Sequence, residues 1–178
     1  MPGGMQVKLK EKESMPKLRD VKNVLLAVIR VRGDVNKSHK IKDTFSLLRL
    51  HKKNHLVLVP ATESIKGMLF KVKDFIAFGM IDKPTLVALL KSKGKLIGKK
   101  PIDEDFIKNV LGYEGFEDLA DKLLSLDLKY QDLEKIVPVF RMHPPRGGFL
   151  KGIKVQFTQG GALGFHGKKI NDLINRMV

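Results

Sequence analysis

Between Val24 and Ile29 six apolar residues follow one another, the longest such run in the chain, and Arg30 ends it. The surrounding stretch Asn23–Arg32 is rich in β-branched side chains and predicts a central strand. Gly33 and Asp34 break it. Ile41, Phe45 and Leu48 then recur at i, i+4 and i+7, with Lys40, Lys42 and Arg49 on other faces, which predicts an amphipathic helix with Ser38 as its N-cap. A turn at 52–54 leads to a second strand, His55–Val59, stopped by Pro60. Thr62 caps a second helix that places Ile65, Met68, Leu69 and Val72 on one face, and a third strand follows at about Phe75–Met80. The order is βαβαβ. Two helices on one face of a three-stranded sheet make an α+β two-layer sandwich.

The second half reads as mostly helical. Asp82-Lys83-Pro84 starts a helix, Leu86–Leu90 forms its apolar body and Gly94 ends it. Asp103–Val110 predicts a short helix with acidic residues in its first turn, where the dipole favours them. Phe116–Leu126 predicts another, with Leu119, Leu123 and Leu126 buried. Pro144 to Gly148 is an irregular loop, Lys151–Thr158 alternates as a strand, and Gly160–Gly167 is a glycine-rich loop. An amphipathic helix over 168–178 closes the chain with Ile170, Leu173, Ile174 and Met177 inward. The expected division is an arm over 1–22, a core over 23–81, and an extension over 82–178 whose closing helix packs on that core. Gly67 falls in the middle of a helix, where glycine costs about 1 kcal/mol relative to alanine, so close packing against a neighbour or a ligand is expected there.

Charge changes the picture. The 178 residues contain 34 Lys and Arg against 19 Asp and Glu, a net charge of +15. A surplus of this size points to a polyanion, nucleic acid before an acidic membrane. The distribution is uneven: residues 102–137 hold 10 of the 19 acids and only 4 basic residues. Residues 36–56, 91–101 and 141–178 hold 6, 5 and 7 basic residues and no more than one acid each. One face is therefore expected to meet the polyanion and another to avoid it. The candidate contacts are Arg32, Lys37, His39, Lys40, Lys42, Arg49, His51, Lys52 and Lys53 in the first cluster and Lys91, Lys93, Lys95, Lys99 and Lys100 in the second. The tail adds Arg141, His143, Arg146, Gly147, Gly148, Lys151, Lys154, Gly160, Gly161, His166, Lys168 and Lys169. Arginine beside two glycines suits phosphate, because the fork donates two bonds and the bare backbone comes close. Aromatic residues are 7% of the chain and tryptophan is absent, so recognition of folded RNA by shape and phosphate is favoured over stacking on single strands.

Other chemistry is poorly supported. There is no cysteine, which removes disulfides, thiolate metal sites and cysteine nucleophiles. Gly161 to Gly167 has the wrong spacing for a phosphate-binding loop, and Lys168 is followed by Lys169 rather than Ser or Thr. His51 and His55 are four residues apart, but a helix end and a strand do not give the helical metal geometry, so both read as partly exposed histidines able to stack on or bond to RNA. Asp103, Glu104 and Asp105 suit a helix N-terminus better than an acid–base pair. No catalytic residue, metal, cofactor or small-molecule substrate is expected. The absence of a long apolar run predicts a soluble, cytoplasmic protein. A DNA-compacting protein shares the charge and is the alternative; a membrane-surface protein would need larger apolar anchors than the closing helix offers.

The stretch Ala27–Gly33, the segment 38–54 (SHKIKDTFSLLRLHKKN), Ile65-Lys66-Gly67-Met68 with Lys71-Val72, and the tail 145–178 resemble, in order, the family of ribosomal protein thirty of the large subunit. The tail resembles the longer archaeal and eukaryotic members. The resemblance implies a ferredoxin-like βαβαβ core with an antiparallel sheet, and a structural role in the ribosome. It implies binding to large-subunit (23S) rRNA near the 5S rRNA region, with other large-subunit proteins as neighbours. The family's RNA-facing loop and first helix fall on Lys37, His39, Lys40, Lys42, Arg49, Lys52 and Lys53, and its tail contacts on Arg146, Gly147, Gly148 and the 160–169 loop. Only about twenty residues of mixed charge precede the first strand, in place of the long basic helix of eukaryotic members, which matches an archaeal form.

Overall fold

The computed structural model describes residues 21, 23–33, 35–98, 100–133, 135–149 and 151–178. The expected arm over 1–22, apart from Val21, and Lys99 lie outside the described residues. The chain begins with the expected alternation: β1 (Leu25–Arg30), α1 (His39–Leu47), β2 (His55–Pro60), α2 (Glu63–Val72) and β3 (Ile76–Met80). Ser38 takes the N-cap position of α1 without a side-chain bond, whereas the Thr62 hydroxyl accepts from Ile65 N–H at 3.4 Å. β1 pairs antiparallel with β2 on one side and β3 on the other, so it is the centre of the sheet.

The sheet has five strands rather than three. β4 (Phe140–Arg141) pairs antiparallel with β2, and β5 (Gly164–Phe165) pairs parallel with β3, giving the order β4-β2-β1-β3-β5. Between β3 and β4 come α3 (Lys83–Lys93), α4 (Glu104–Phe106), a π-helical turn over Ile107–Leu111, and α5 (Phe116–Leu124); α6 (Ile170–Met177) closes the chain. The expected strand at Lys151–Thr158 is a series of turns with a 3-10 turn at Phe157–Gln159, and the strand lies instead inside the expected glycine-rich loop.

The sheet is covered on both faces, which explains the unbroken apolar run of β1. Leu26 and Val28 face Phe45 and Leu48 from α1 and its cap, and Leu69 and Val72 of α2. Leu25, Ala27 and Ile29 belong to the other core, with Leu86, Leu89 and Leu90 of α3, Leu119 and Leu123 of α5, and Ile170 and Ile174 of α6. The expected two layers thus become three. A β-carbon at Gly79 would strike Gly167 O and lie 2.9 Å from Ile170 Cβ, so this glycine lets the start of α6 seat on β3. Asn171, buried beside it, locks the junction. Its Oδ1 accepts from Asp82 N–H at 3.0 Å, while Nδ2 donates to Met80 O at 3.2 Å, Lys168 O at 2.7 Å and Asp82 Oδ2 at 2.9 Å. At Gly67 nothing lies within 4 Å of the β-carbon position, so the close packing expected against a neighbouring element is absent.

Candidate nucleic-acid interface

Strand register decides which basic residues can act together. Arg30 pairs with Ile76, Ile29 with Leu56, and His55 with Arg141. The C-terminal ends of β1 and β4 and the N-terminal ends of β2 and β3 therefore lie at one end of the sheet. From this end emerge the loop holding Arg32 and Lys37, the loop 48–54 holding Arg49, His51, Lys52 and Lys53, and the segment holding Arg141, His143 and Arg146. Met142 N–H donates to Asn54 O at 3.0 Å, which ties the tail segment to the 48–54 loop. Gln156 Nε2 donates to Asp74 Oδ1 at 2.7 Å and brings the turns around Lys151 and Lys154 to the same end. Two clusters far apart in sequence thus become one surface.

The surface is exposed and its charge is mostly unpaired. His39, Lys40, Lys42, Arg49, His51, Lys52, Lys53, Arg141, His143, Arg146, Lys151 and Lys154 are all exposed. His39 Nδ1 lies 3.1 Å from Asp43 Oδ2. Among the described residues, the other exposed cations of this group form no salt bridge. Gly147 and Gly148 both take left-handed backbone, φ +76° and +72°, at an exposed turn held by Arg176 Nη1 donating to Gly148 O at 3.2 Å. Gly160, φ +88°, is exposed beside the Lys151 side chain. Lys95 and Lys100 lie in a separate basic turn. Its first residues run beside 135–137, just before β4: Ile97 N–H donates to Lys135 O and Val137 N–H to Lys95 O, each at 2.8 Å. Lys93 precedes it at the end of α3.

Several of the expected contact residues lie in other surroundings than the basic end. His166 is 4% exposed, stacks on Phe157 with ring centroids 4.0 Å apart, and has Nε2 3.0 Å from Ala162 O. Burial lowers its pKa, and its role is to pack the glycine-rich loop. Gly161 is buried because its α-carbon sits against the Val155 backbone, where a side chain would clash. Lys37 is half-buried, with Nζ 3.5 Å from the Phe75 ring centroid and 5.4 Å from that of Phe45. Lys91 lies over Phe116 and lines a cleft with Glu104, Glu117, Asp118 and Asp121. Lys168 and Lys169 are exposed but follow β5 toward Met80 and Asp82, at the opposite end of the sheet.

Arg30 is the buried charge that the pattern concealed, because the end of a strand reads as solvent. It is 1% exposed. Nη1 donates to Leu50 O at 2.7 Å and His51 O at 2.9 Å, Nε donates to Arg32 O at 3.0 Å, and the guanidinium lies 4.1 Å from the Phe45 centroid. Nearby, His55 Nδ1 accepts from Lys52 N–H at 3.4 Å. Burial first, then the positive charges of Arg141, His51, Lys52 and Arg30, lowers the His55 pKa, which favours the neutral ring that can accept this bond. The arrangement offers cations and backbone donors to an anion. Among the described residues, no group of three or more His, Asp or Glu is placed to hold a metal ion, and no helix is long and apolar enough to cross a membrane.

Comparison with known proteins gives the family. A family model described as ribosomal protein L30p/L7e matches residues 26–76, the stretch from β1 to the start of β3. The large ribosomal subunit protein uL30 of Methanocorpusculum labreanum is 45% identical over 153 residues, spanning 86% of this chain and 99% of the relative. That of Staphylothermus marinus is 46% identical over 159 residues, spanning 86% and 98%. That of Hyperthermus butylicus is 47% identical over 163 residues, spanning 86% and 90%. Identity at this level over nearly the whole length of its relatives means that the chain belongs to the ribosomal protein L30p/L7e family.

Proposed function

We propose that this chain is a structural, non-enzymatic component of the large ribosomal subunit, where it binds folded large-subunit (23S) rRNA and contacts neighbouring ribosomal proteins near the 5S rRNA region. One observation carries the RNA reading: the register gathers Arg49, Lys52, Lys53, Arg141 and Arg146 at one end of the sheet, exposed and without acidic partners among the described residues. Such cations displace counterions from RNA phosphates, and the release of those ions drives binding. Folded RNA suits this surface better than single strands, since Phe45 is buried and Phe75 partly buried beneath it and neither offers a free face for stacking. The names of the relatives support the assignment to the large subunit, and their archaeal sources support a cytoplasmic ribosome as the location.

Co-sedimentation tests the reading. Lysate is run on a sucrose gradient, the particles are washed in high salt, and each fraction is blotted for the protein. Recovery in the large-subunit peak after washing is expected. Recovery only at the top of the gradient overturns the proposal, and equal affinity of the purified protein for duplex DNA and folded rRNA would favour a DNA-compacting role.

A further inference from the structure

The loop after α1 has an unusual construction. Arg49 occupies the position just past the helix, with φ +58°, where glycine is the usual residue. Left-handed backbone is costly for a side chain with a β-carbon and persists when the surroundings enforce it. Here Arg49 N–H donates to Ser46 O at 3.0 Å and Leu50 N–H to Phe45 O at 2.8 Å, and the next two carbonyls, Leu50 and His51, turn inward onto the Arg30 guanidinium. In a trans peptide the N–H points opposite to the carbonyl. Drawing the Leu50 carbonyl inward therefore turns the His51 N–H outward, and drawing the His51 carbonyl inward turns the Lys52 N–H outward, toward His55 Nδ1. Among the described residues, no acceptor meets the His51 N–H. It opens beside a cleft lined by Lys42, Ser46 and His51, with Arg30 and Phe45 forming the rest of its wall.

We propose that Arg30 is a positioning residue for RNA: from inside the core its guanidinium sets the main chain of 49–52 so that the His51 N–H and the Arg49 and Lys52 side chains meet the same phosphates. The inference rests on the RNA-binding reading above and adds to it a discrete phosphate subsite and the residue that shapes it. Arg30 does this from within the core, where it is 1% exposed and its Nη1 is engaged by the Leu50 and His51 carbonyls. Arginine suits the task, since its planar fork reaches two adjacent carbonyls at once and it keeps its charge when buried, while lysine offers a single point donor. Placing arginine rather than glycine at 49 gives up backbone ease for a charge at the rim of the subsite.

The test measures binding of 23S rRNA, purified from archaeal large subunits, by filter retention over a series of KCl concentrations. The variants are Arg30→Lys, Arg49→Gly and the double variant, each checked for folding by circular dichroism. The slope of log K against log[KCl] counts the phosphates neutralised, at roughly 0.7–0.9 per contact. Arg49→Gly is expected to keep or raise the melting temperature while flattening the slope by about one contact. Arg30→Lys is expected to flatten the slope although it removes no exposed charge, and to cost less in the Arg49→Gly background than alone. A wild-type slope for folded Arg30→Lys, or losses that simply add, overturns the positioning role. Should Arg30→Lys fail to fold, the wild-type protein decides: inorganic phosphate titrated at constant ionic strength is expected to shift the His51 amide resonance more than those of other exposed amides. A uniform response across the basic surface overturns the subsite. A wild-type protein that shows no salt-dependent rRNA binding overturns the RNA reading itself, which is a distinct result.

Discussion

On one face of β1 lie α1 and α2; on the other lie α3, α5 and α6. The two layers bury similar aliphatic side chains against the same strand, yet their outer surfaces differ in charge. α1 and the loop after it present Lys40, Lys42, Arg49, Lys52 and Lys53 with Asp43 as the one acid. α5 and the turn before it present Glu114, Glu117, Asp118 and Asp121 with Lys122. The acids are locally engaged: Asp121 pairs with Lys83 Nζ at 2.7 Å, and Asp118 accepts from Glu114 N–H at 3.4 Å. The Asp121 bond raises the Lys83 pKa. The cations of the α1 side have no such partners among the described residues. A core built from both faces of one sheet therefore leaves the outer surfaces free to specialise. One holds unpaired positive charge ready for a polyanion, and the other carries acids, of which Asp121 is paired with Lys83.

The largest effect that would break this comparison comes from the α1 side. Substituting Lys52→Glu with Lys53→Glu should lower rRNA affinity by at least tenfold at low salt and flatten the salt slope by about two contacts, with the melting temperature within a few degrees of wild type. The matching reversal across the molecule, Glu117→Lys with Asp118→Lys, should leave the slope unchanged. If the two pairs have equal effects, the charge asymmetry does not govern binding. Next in size is Asn171→Ala, which strips the Asp82 N–H and the Met80 and Lys168 carbonyls of a partner. It should cost about 2 kcal/mol in urea unfolding, because buried polar groups left unpaired are expensive. The rRNA salt slope should not move, since the junction lies at the far end of the sheet.

His166 gives a pH signature confined to the fold. Its folded pKa lies below the ordinary 6.5, so the unfolded chain takes up the proton more readily. Its contribution is whole above pH 6.5 and is lost as the pH falls from there through the folded pKa. His55 has the same sign, because its pKa is lowered as well. Urea unfolding at pH 7 and pH 5 should show a smaller loss in His166→Gln than in wild type; an equal loss would assign the acid sensitivity to His55 or to the carboxylates. The smallest effect is at Gly67, where open space surrounds the β-carbon position on an exposed helix face. Gly67→Ala should stabilise the protein by about 0.5–1 kcal/mol. If rRNA affinity falls in the same variant, RNA approaches α2 closely at that point.

Periodicity made the βαβαβ half legible because each element there is long enough to repeat. Five or six residues of β1, β2 and β3 carry a clear apolar run, and Ile41, Phe45 and Leu48 mark a helix face over two turns. β4 and β5 have two residues each, too few for any alternation to be read. Their pairing depends on partners far along the chain. Lys151–Thr158 alternates, yet its backbone turns back and Gln156 bridges only to Leu163. Charge clustering marked the cations of α1, the loop after it and the Arg146 turn, which are exposed, but composition cannot tell an exposed lysine from one resting on an aromatic ring, as Lys37 does. Glycine-rich sequence likewise concealed the packed stack of His166 on Phe157.

The burial of β1 from both sides also has a consequence for synthesis. By the time Met80 has emerged, the three long strands and α1 and α2 can assemble, with Leu26 and Val28 already covered. Leu25, Ala27, Ile29, Leu56 and Leu58 must wait for α3, α5 and α6. At roughly 5–20 residues per second, the hundred or so residues still to come take about 5–20 s. Throughout that interval a half-finished molecule shows a broad aliphatic surface on one side and the cationic end beside it. Growing chains of this protein should therefore be clients of ribosome-associated chaperones from about residue 80 until α6 arrives and covers that face.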